Sequence, residues 1–312
     1  MSETGQQPPQ RPWEDRDPFR AERPTPPQRP TGFARYRMFF ILIAAFVVIA
    51  VVKGSLDKVD TQGARQSRFV VVSDVLGSAP GKPRLVPAVG VIPAGGGEDK
   101  PLLVLIAGRD HLLESLLDDG FYASLAATGL DAPNVAILSV DRDSGAHDRD
   151  DGKWGTYIVD EAIPKAVEQM GADPERVAIG GFDIGGFGAL DLARKQPERF
   201  CAVGAHSPEI WARFGDAPKG LFTDAADFSE HDLLGLAIDG TFPAQRALRI
   251  DVGSEDPQLA DVTRFVQGLR DAGQDVTFAK PFAGRGTVAH WKDNSGNLLR
   301  FYAKALADCT ER

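Results

Sequence analysis

The feature that most constrains the fold of this chain is a glycine-rich stretch at residues 177–190, VAIGGFDIGGFGAL. An apolar strand pattern ends here, glycines permit a tight turn, and an apolar helical pattern begins. Such a turn presents one side chain, here Asp183, at a strained apex in front of the helix N-terminus. Gly181 and Gly185 suit this turn, because a Cβ there would collide with the neighbouring strand or helix. The free N–H groups and dipole of the helix start favour an anion at the apex.

Strand-like and helix-like patterns alternate along most of the chain. Buried-strand patterns occur at 102–107, 135–140, 177–179, 202–205, 248–252 and 276–278, and helical patterns at 155–170, 184–196, 257–272 and 295–307. This alternation predicts a mostly parallel sheet with helices on both faces. Runs at 69–72 and 86–92 are expected to be leading antiparallel strands. The stretch 211–242 interrupts the alternation, and we interpret it as an insertion over the site.

The N-terminal part has a different composition. Residues 1–37 contain eight prolines and little apolar content, which predicts a disordered tail. Residues 38–52 form an unbroken apolar run flanked by Arg35, Arg37 and Lys53. We interpret 38–53 as a single transmembrane signal-anchor, with a cleaved signal peptide or a buried helix as alternatives. Residues 54–64 would be a linker and 65–312 the folded domain, outside the cytoplasm because the arginines precede the run.

Composition excludes some classes of function. The net charge of −9 and the absence of a basic patch argue against nucleic-acid binding. No nucleotide-binding motif is present, so no cofactor is expected. An acidic loop at 141–151 that includes His147 is interpreted as a solvated loop, with calcium binding as the alternative, and no metal site is expected. The two cysteines, Cys201 and Cys309, are too few for a disulfide framework. They are interpreted as thiols, with a single bridge as the alternative.

Four segments resemble a known family. They are WGTYIVDEAIP at 154–164, FGAL at 187–190, PERF at 197–200 and SPEIW at 207–211. Together with the glycine-rich turn they resemble the esterase family of α/β-hydrolases that includes esterase D-like enzymes and secreted mycolyltransferases. The resemblance covers residues from about 100 to 312. It implies an α/β-hydrolase fold, a nucleophile elbow at Asp183 and a small-molecule or lipid-like substrate.

The fold implies where partners of the apex residue lie, because its triads run in the order nucleophile, acid, histidine. Asp256, after the strand at 248–252, is the candidate acid, with Asp251 and Glu255 as alternates. His290 is the candidate histidine, in a loop before the last helix. His206 follows the strand after the elbow and could line the pocket. We expect the other three histidines, His111, His147 and His231, to lie at the surface or as satisfied core residues.

The oxyanion hole of such sites uses the N–H after the nucleophile and one from an early loop. Ile184 supplies the first by position. Gly108 and Arg109 are candidates for the second, although Ala107 stands where the family usually has histidine.

An aspartate at the elbow leaves the chemistry open. The set Asp183, His290 and Asp256 matches the type found in haloalkane dehalogenases and epoxide hydrolases, where a carboxylate attacks sp³ carbon. Those enzymes typically have tryptophan where this chain has Ile184, and epoxide hydrolases use cap tyrosines that 211–242 lacks. The leading expectation is a membrane-anchored esterase-like hydrolase with an atypical Asp–His–Asp site. The alternatives are water activation by His290 and Asp256, and a non-catalytic binding protein of the cell envelope.

Overall fold

A computed structural model describes residues 59–77, 79, 81–107, 113–141, 144–278, 281–286 and 288–309. The predicted tail, membrane segment and most of the linker lie outside these residues, as do Gly108, Arg109 and His111. Their assignments stay predictions. Within the described part of the chain, no helix is long and apolar enough to cross a membrane.

The centre of the domain is an eight-stranded sheet in the order β1-β2-β4-β3-β7-β8-β9-β10. The first two strands are antiparallel to each other, and β2 is antiparallel to β4. The pairings from β4 to β10 are parallel. A two-stranded ribbon, β5–β6, lies outside this sheet. The predicted mostly parallel sheet with two leading antiparallel strands is therefore confirmed. The strands are β1 Arg65–Ser73, β2 Arg84–Ile92, β3 Leu102–Ile106, β4 Asn134–Leu138, β5 Asp148–Arg149, β6 Gly152–Lys153, β7 Val177–Phe182, β8 Ala202–His206, β9 Leu248–Asp251 and β10 Val276–Phe278.

The helices are α1 Asp119–Ala127, α2 Ile163–Met170, α3 Ile184–Lys195, α4 Ala225–Glu230, α5 Leu233–Ile238, α6 Leu259–Asp271 and α7 Val288–Ala307. Short 3-10 turns occur at Leu113–Leu116, Gly129–Asp131 and Phe214–Asp216, and a helical turn with a π-helical segment, Trp154–Thr156 and Tyr157–Ala162, leads into α2. Two helical features differ from expectation. The sequence patterns did not predict α1, which begins where the Asp118 carboxylate accepts the Phe121 N–H. The last helix begins at Val288, not at 295, so His290 lies in its first turn and not in a loop.

Two apolar layers cover the two faces of the sheet. One contains α2, α3, α6 and the stretch 211–242, and the other contains α1 and α7. The stretch 211–242 was expected to be an insertion over the site. Instead its side chains Trp211, Phe222 and Phe228 are buried in the first layer, and burying each one contributes on the order of 2–3 kcal/mol. This stretch is therefore an integral part of the core.

The end of α7 is bonded covalently to the start of β8. Cys201 and Cys309 form a disulfide with their Cα atoms 5.7 Å apart. The interpretation of these residues as thiols is therefore corrected: Cys201 immediately precedes β8, and the last turn of α7 brings Cys309 alongside it.

Candidate active site at the strand ends

Asp183 lies at the predicted apex between β7 and α3. Its backbone has φ 55° and ψ −124°, a conformation that costs a non-glycine residue on the order of 1–3 kcal/mol. Backbone hydrogen bonds hold the turn, because the Asp183 N–H donates to the His206 carbonyl at 3.0 Å and the Gly186 N–H donates to the Asp183 carbonyl at 3.0 Å. The strained elbow is thus formed as the sequence predicts.

The glycines on either side are required for steric reasons. A Cβ on Gly181 would overlap the backbone of Gly185, and a Cβ on Gly185 would overlap the carbonyl of Ile106. Backbone atoms cannot move aside as a flexible side chain can, so neither position tolerates alanine. The structure therefore confirms the steric collisions that the sequence predicts at Gly181 and Gly185.

Strand register builds the polar group behind Asp183. In the parallel ladder Phe182 pairs with His206, and His206 pairs with Asp251. Paired residues on neighbouring strands point to the same face of the sheet. The His206 ring accordingly donates from Nδ1 to the Asp251 carboxylate at 2.8 Å. The carboxyl ends of three adjacent strands therefore bring Asp251 and His206 beside the elbow.

A tyrosine from the last helix completes this group. The Tyr302 hydroxyl lies 2.9 Å from Nε2 of His206, and it donates to this nitrogen when the ring is neutral with its proton on Nδ1. The hydroxyl fits because Gly180 and Gly204 have no side chains. A Cβ on either glycine would overlap it. Both ring nitrogens of His206 are therefore engaged in a buried hydrogen-bond chain.

The protonation states of Asp251 and Tyr302 in this hydrogen-bond chain depend on burial and on the neighbouring basic side chains. Burial alone would raise the pKa of Asp251, but the charge and hydrogen bond of His206, with Arg249 and His290, hold it below its ordinary value. Burial raises the pKa of Tyr302, so its hydroxyl keeps its proton. The chain is consequently a stable carboxylate–imidazole–phenol arrangement.

A small cavity opens in front of this group. It is lined by Phe182, Asp183, His206, Ser207, Asp251, Gly286 and His290. Its volume is about 10 Å³, which is room for about one water molecule. Three predicted site residues, Asp183, His206 and His290, thus line one cavity, and Ile184 follows the apex as the first residue of α3.

His290 is oriented by the elements around it. Its ring stacks on Phe282 with centroids 3.1 Å apart, and its Nδ1 lies 3.0 Å from the Asn294 amide. Burial lowers its pKa, partly opposed by the charges of Asp251 and Asp293. The carboxylate of the candidate site that acts on His290 is therefore the alternate, Asp251.

Asp256, the first choice for the acid, is engaged elsewhere. Its carboxylate accepts the Gln258 N–H at 2.9 Å and the Gly286 N–H at 3.4 Å, so it caps the turn before α6. Gly286 is the lining residue that contacts it, and a Cβ on Gly286 would overlap Ser207. The described contacts do not join Asp256 to His290 or Asp183.

Ser207 is a site residue that the sequence reasoning missed. It follows β8 as Asp183 follows β7, and it also has a positive φ, 46°. Its hydroxyl oxygen is buried and has no hydrogen-bond partner among the described residues. The Ser–Pro pair directly after a buried strand was the available signal, since such strand ends meet at one edge of a parallel sheet.

A second group of titratable side chains lies outside this cavity. His147, Asp227 and His231 have ligand-type atoms that all lie within 4.8 Å of one another. His147 is fully buried, and neither ring nitrogen has a hydrogen-bond partner in the described structure. The expectation of a surface or satisfied histidine is therefore wrong for His147. We call these three residues the His–Asp cluster.

Solved structures resemble this fold over most of the chain. A ferulic acid esterase superposes with a TM-score of 0.64 and 18% identity, covering 78% of this chain and 99% of that one. An S-formylglutathione hydrolase from Agrobacterium tumefaciens gives 0.64 and 20% identity, covering 78% and 96%. At these identities the likeness establishes the α/β-hydrolase fold.

Sequence comparison identifies the family of this chain. S-formylglutathione hydrolase of Bos taurus is 32% identical over 111 residues, which is 34% of this chain. The match spans 39% of that relative's length. A family model described as "Putative esterase" matches residues 112–291, more than half of the chain. With the elbow and the strand-end cavity of this fold, the chain belongs to the esterase family of α/β-hydrolases.

Proposed function

We propose that this protein is a membrane-anchored member of the esterase family that binds a small-molecule or lipid-like ligand without serine-type acyl transfer. The observation that carries the proposal is the elbow itself, where Asp183 occupies the nucleophile position. A serine hydroxyl attacks an ester to give an acyl-enzyme. A carboxylate attacking the same carbonyl would give a reactive anhydride, which is a poor intermediate.

The contacts of the histidines support the same conclusion. A general base needs a ring nitrogen within reach of the proton that it abstracts. Both nitrogens of His206 are engaged by Asp251 and Tyr302. The Asp256 carboxylate accepts the Gly286 N–H, and no described contact joins it to His290. The pairs Asp251–His206 and Asp256–His290 therefore do not supply a base for a serine at the apex.

Ligand binding would use another part of the surface. The strand-end cavity holds about 10 Å³, whereas a cleft of about 620 Å³ lies among residues 149–151 and 214–223. Small-molecule sites typically measure about 300–1,000 Å³. Its lining combines Phe214 and Phe222 with basic and acidic side chains, a mixture that suits a ligand with both apolar and polar parts. The charged lining residues are Arg149, Lys219, Asp150 and Asp151. The two cavities share no lining residue.

Two features support a membrane anchor and a location of the folded domain outside the cytoplasm. The apolar run at 38–52 is followed by Lys53 and preceded by Arg35 and Arg37, which supports a signal-anchor whose C-terminal side lies outside the cytoplasm. The Cys201–Cys309 disulfide supports the same side, since disulfides persist in oxidising compartments.

The test is turnover by the full chain in detergent. The panel contains p-nitrophenyl esters, a feruloyl ester and S-formylglutathione, with an epoxide and a haloalkane to test attack on sp³ carbon. We expect no hydrolysis above background, and the same for Asp183→Ala. Hydrolysis by the wild type that Asp183→Ala abolishes would overturn the proposal. Asp183→Ser should gain no esterase activity, because Asp256 still faces Gly286.

A second candidate function rests on Ser207. Its buried, unpartnered hydroxyl and strained backbone are features of a functional position, and Asp183 and His290 line the same cavity. Here Ser207 would attack an ester carbonyl and pass its proton to His290, which would give it to the departing alcohol. Water would then hydrolyse the resulting serine ester and release the carboxylic acid. A fluorophosphonate probe distinguishes the two candidates. Labelling mapped to Ser207 and lost in Ser207→Ala favours hydrolysis, and the absence of labelling favours the binding role.

A further inference from the structure

The His–Asp cluster contains a histidine that the protein leaves unsatisfied. His147 precedes β5, stacks on Phe222 at 5.3 Å and packs edge-on against Phe187 at 6.4 Å. Its side chain has no exposure, and both ring nitrogens have no hydrogen-bond partner among the described residues. A buried polar group left unpaired costs about 1–3 kcal/mol. Such groups point to a ligand that supplies the missing bond.

The distances within the cluster are those of ligands around a common ion. Oδ1 of Asp227 lies 3.8 Å from Nε2 of His147 and 3.6 Å from Nε2 of His231. Both separations are too long for a hydrogen bond. Ligands bound to zinc at about 2.0–2.2 Å in a tetrahedron are about 3.3–3.6 Å from each other. The two distances to Asp227 need a contraction of only a few tenths of an ångström, and the ligand atoms of all three residues already lie within 4.8 Å of one another.

A second layer of contacts orients His231. The carboxylate of Asp191, which is fully buried on α3, accepts a hydrogen bond from Nδ1 of His231 at 2.9 Å. Arg194 and Lys195 pair with the same carboxylate. With Nδ1 held in this way, Nε2 is directed to Asp227. A carboxylate behind a ligating histidine is the usual second-shell arrangement of protein metal sites.

The chemistry of the three groups agrees with ligation. A neutral imidazole offers a lone pair to a metal ion. The Asp227 carboxylate adds a negative charge that offsets part of the charge of a divalent ion, and its side chain is 17% exposed, which gives solvent a route to the site.

We propose that His147, Asp227 and His231 bind one divalent transition-metal ion, with zinc as the best match, and that solvent completes the coordination. Two imidazole nitrogens and one carboxylate oxygen favour zinc over calcium or magnesium, which prefer oxygen ligands. The cluster and the strand-end cavity share no residue. The ion would therefore be structural, joining α4 and the segment before β5 to α3 through Asp191.

The experiment measures zinc binding by the full chain, purified in detergent with a tag that contains no histidine. After chelator treatment, addition of zinc and removal of the excess by dialysis, we expect one zinc ion per chain by mass spectrometry of the metal. Cobalt added in place of zinc should give visible d–d bands. Asp227→Asn should lower the zinc affinity at least about 100-fold, since losing a group behind the ligands already costs about 10–100-fold. His147→Gln should change the cobalt spectrum.

Asp216→Asn is the matched control. Asp216 belongs to the same stretch, 211–242, and pairs at the surface with Arg213, so its removal should leave zinc affinity unchanged. Thermal unfolding in chelator shows whether each variant folds. Wild-type protein that binds neither zinc nor cobalt would overturn the proposal and assign the cluster to a bridging water. Equal zinc affinity in folded Asp227→Asn and in Asp216→Asn would overturn it as well. Neither outcome depends on hydrolytic activity.

Discussion

The two faces of the sheet are secured to their helices in different ways. On one face, α7 is bound to β8 by the Cys201–Cys309 disulfide and by the Tyr302–His206 hydrogen bond. On the other face, the stretch 211–242 contributes Asp227 and His231 to the His–Asp cluster. The ring nitrogens of His147 in this cluster have no partner among the described residues. The first arrangement engages both ring nitrogens of His206, whereas the second leaves both ring nitrogens of His147 without a partner among the described residues.

This difference distinguishes side chains that hold the fold together from side chains that can bind a ligand. A buried histidine with both ring nitrogens engaged has no further hydrogen bond to make. His206, although it lies behind the elbow, therefore acts as part of the scaffold and not as a free base. His147, although it belongs to none of the segments that resemble the family, has two ring nitrogens without a partner among the described residues. Proximity to the elbow is thus a poorer guide to ligand binding than unpaired polar atoms are.

The largest effect that we expect is the loss of stability when the disulfide is removed. The bridge closes a loop across 108 residues, and removing such a constraint from the unfolded chain costs about 4–5 kcal/mol. We expect Cys201→Ser/Cys309→Ser to lower the free energy of unfolding by about that amount in urea titrations. Removal of bound zinc should cost less, about 2.7 kcal/mol at a free concentration of 100 times Kd. A double variant as stable as the wild type would contradict the covalent part of the comparison.

Local patterns predicted the elbow well, because its determinants lie within a few residues. Gly181, Asp183 and Gly185 occupy the turn that their spacing implies. The parallel sheet was predictable for a similar reason, since each buried strand is visible in the sequence as an apolar run. The start of α7 was less predictable, because His290 and Trp291 belong to a polar stretch whose helical state depends on packing against α1.

The partners of the elbow depend on long-range pairing. Asp251 is the last residue of β9 and Asp256 lies five residues later, and the order of triad residues along the chain favours neither one. The register that pairs His206 with Asp251 decides between them, and register is a property of the assembled sheet. The His–Asp cluster is more remote still, because His147 lies 80 residues before Asp227. Only the i, i+4 spacing of Asp227 and His231 was visible in the sequence.

A second expected effect concerns pH. The pKa of His147 falls from 6.5 to about 4 on folding, chiefly by burial and by the charge of His231, opposed by Asp191 and Asp227 and aided by Arg149. Between these values the unfolded chain binds a proton that the folded chain does not, so stability decreases as pH falls from 6.5 to 4. The loss in chelator should reach about 3 kcal/mol.

The control for this pH effect is His147→Gln. His290 also has a lowered pKa and contributes in the same direction, so the difference between wild type and variant isolates His147. Asp191 acts in a separate range, because its lowered pKa affects stability only near and below the ordinary pKa of an aspartate. Unfolding curves between pH 7 and pH 4 that are parallel for the two proteins would show that the buried ring is not the group that titrates.

The smallest effect compares two buried tyrosines on opposite faces of the sheet. Tyr302 donates to Nε2 of His206, so Tyr302→Phe leaves a buried acceptor unpaired and should cost about 1–3 kcal/mol. Tyr157 is equally buried, but its hydroxyl has no partner among the described residues. Tyr157→Phe removes an unsatisfied group and should be neutral or stabilising. Zinc affinity should be unchanged in both variants, because neither hydroxyl contacts the cluster. If the two substitutions cost the same, shape alone would explain the tyrosines, and the distinction between satisfied and unsatisfied polar groups would lose its support.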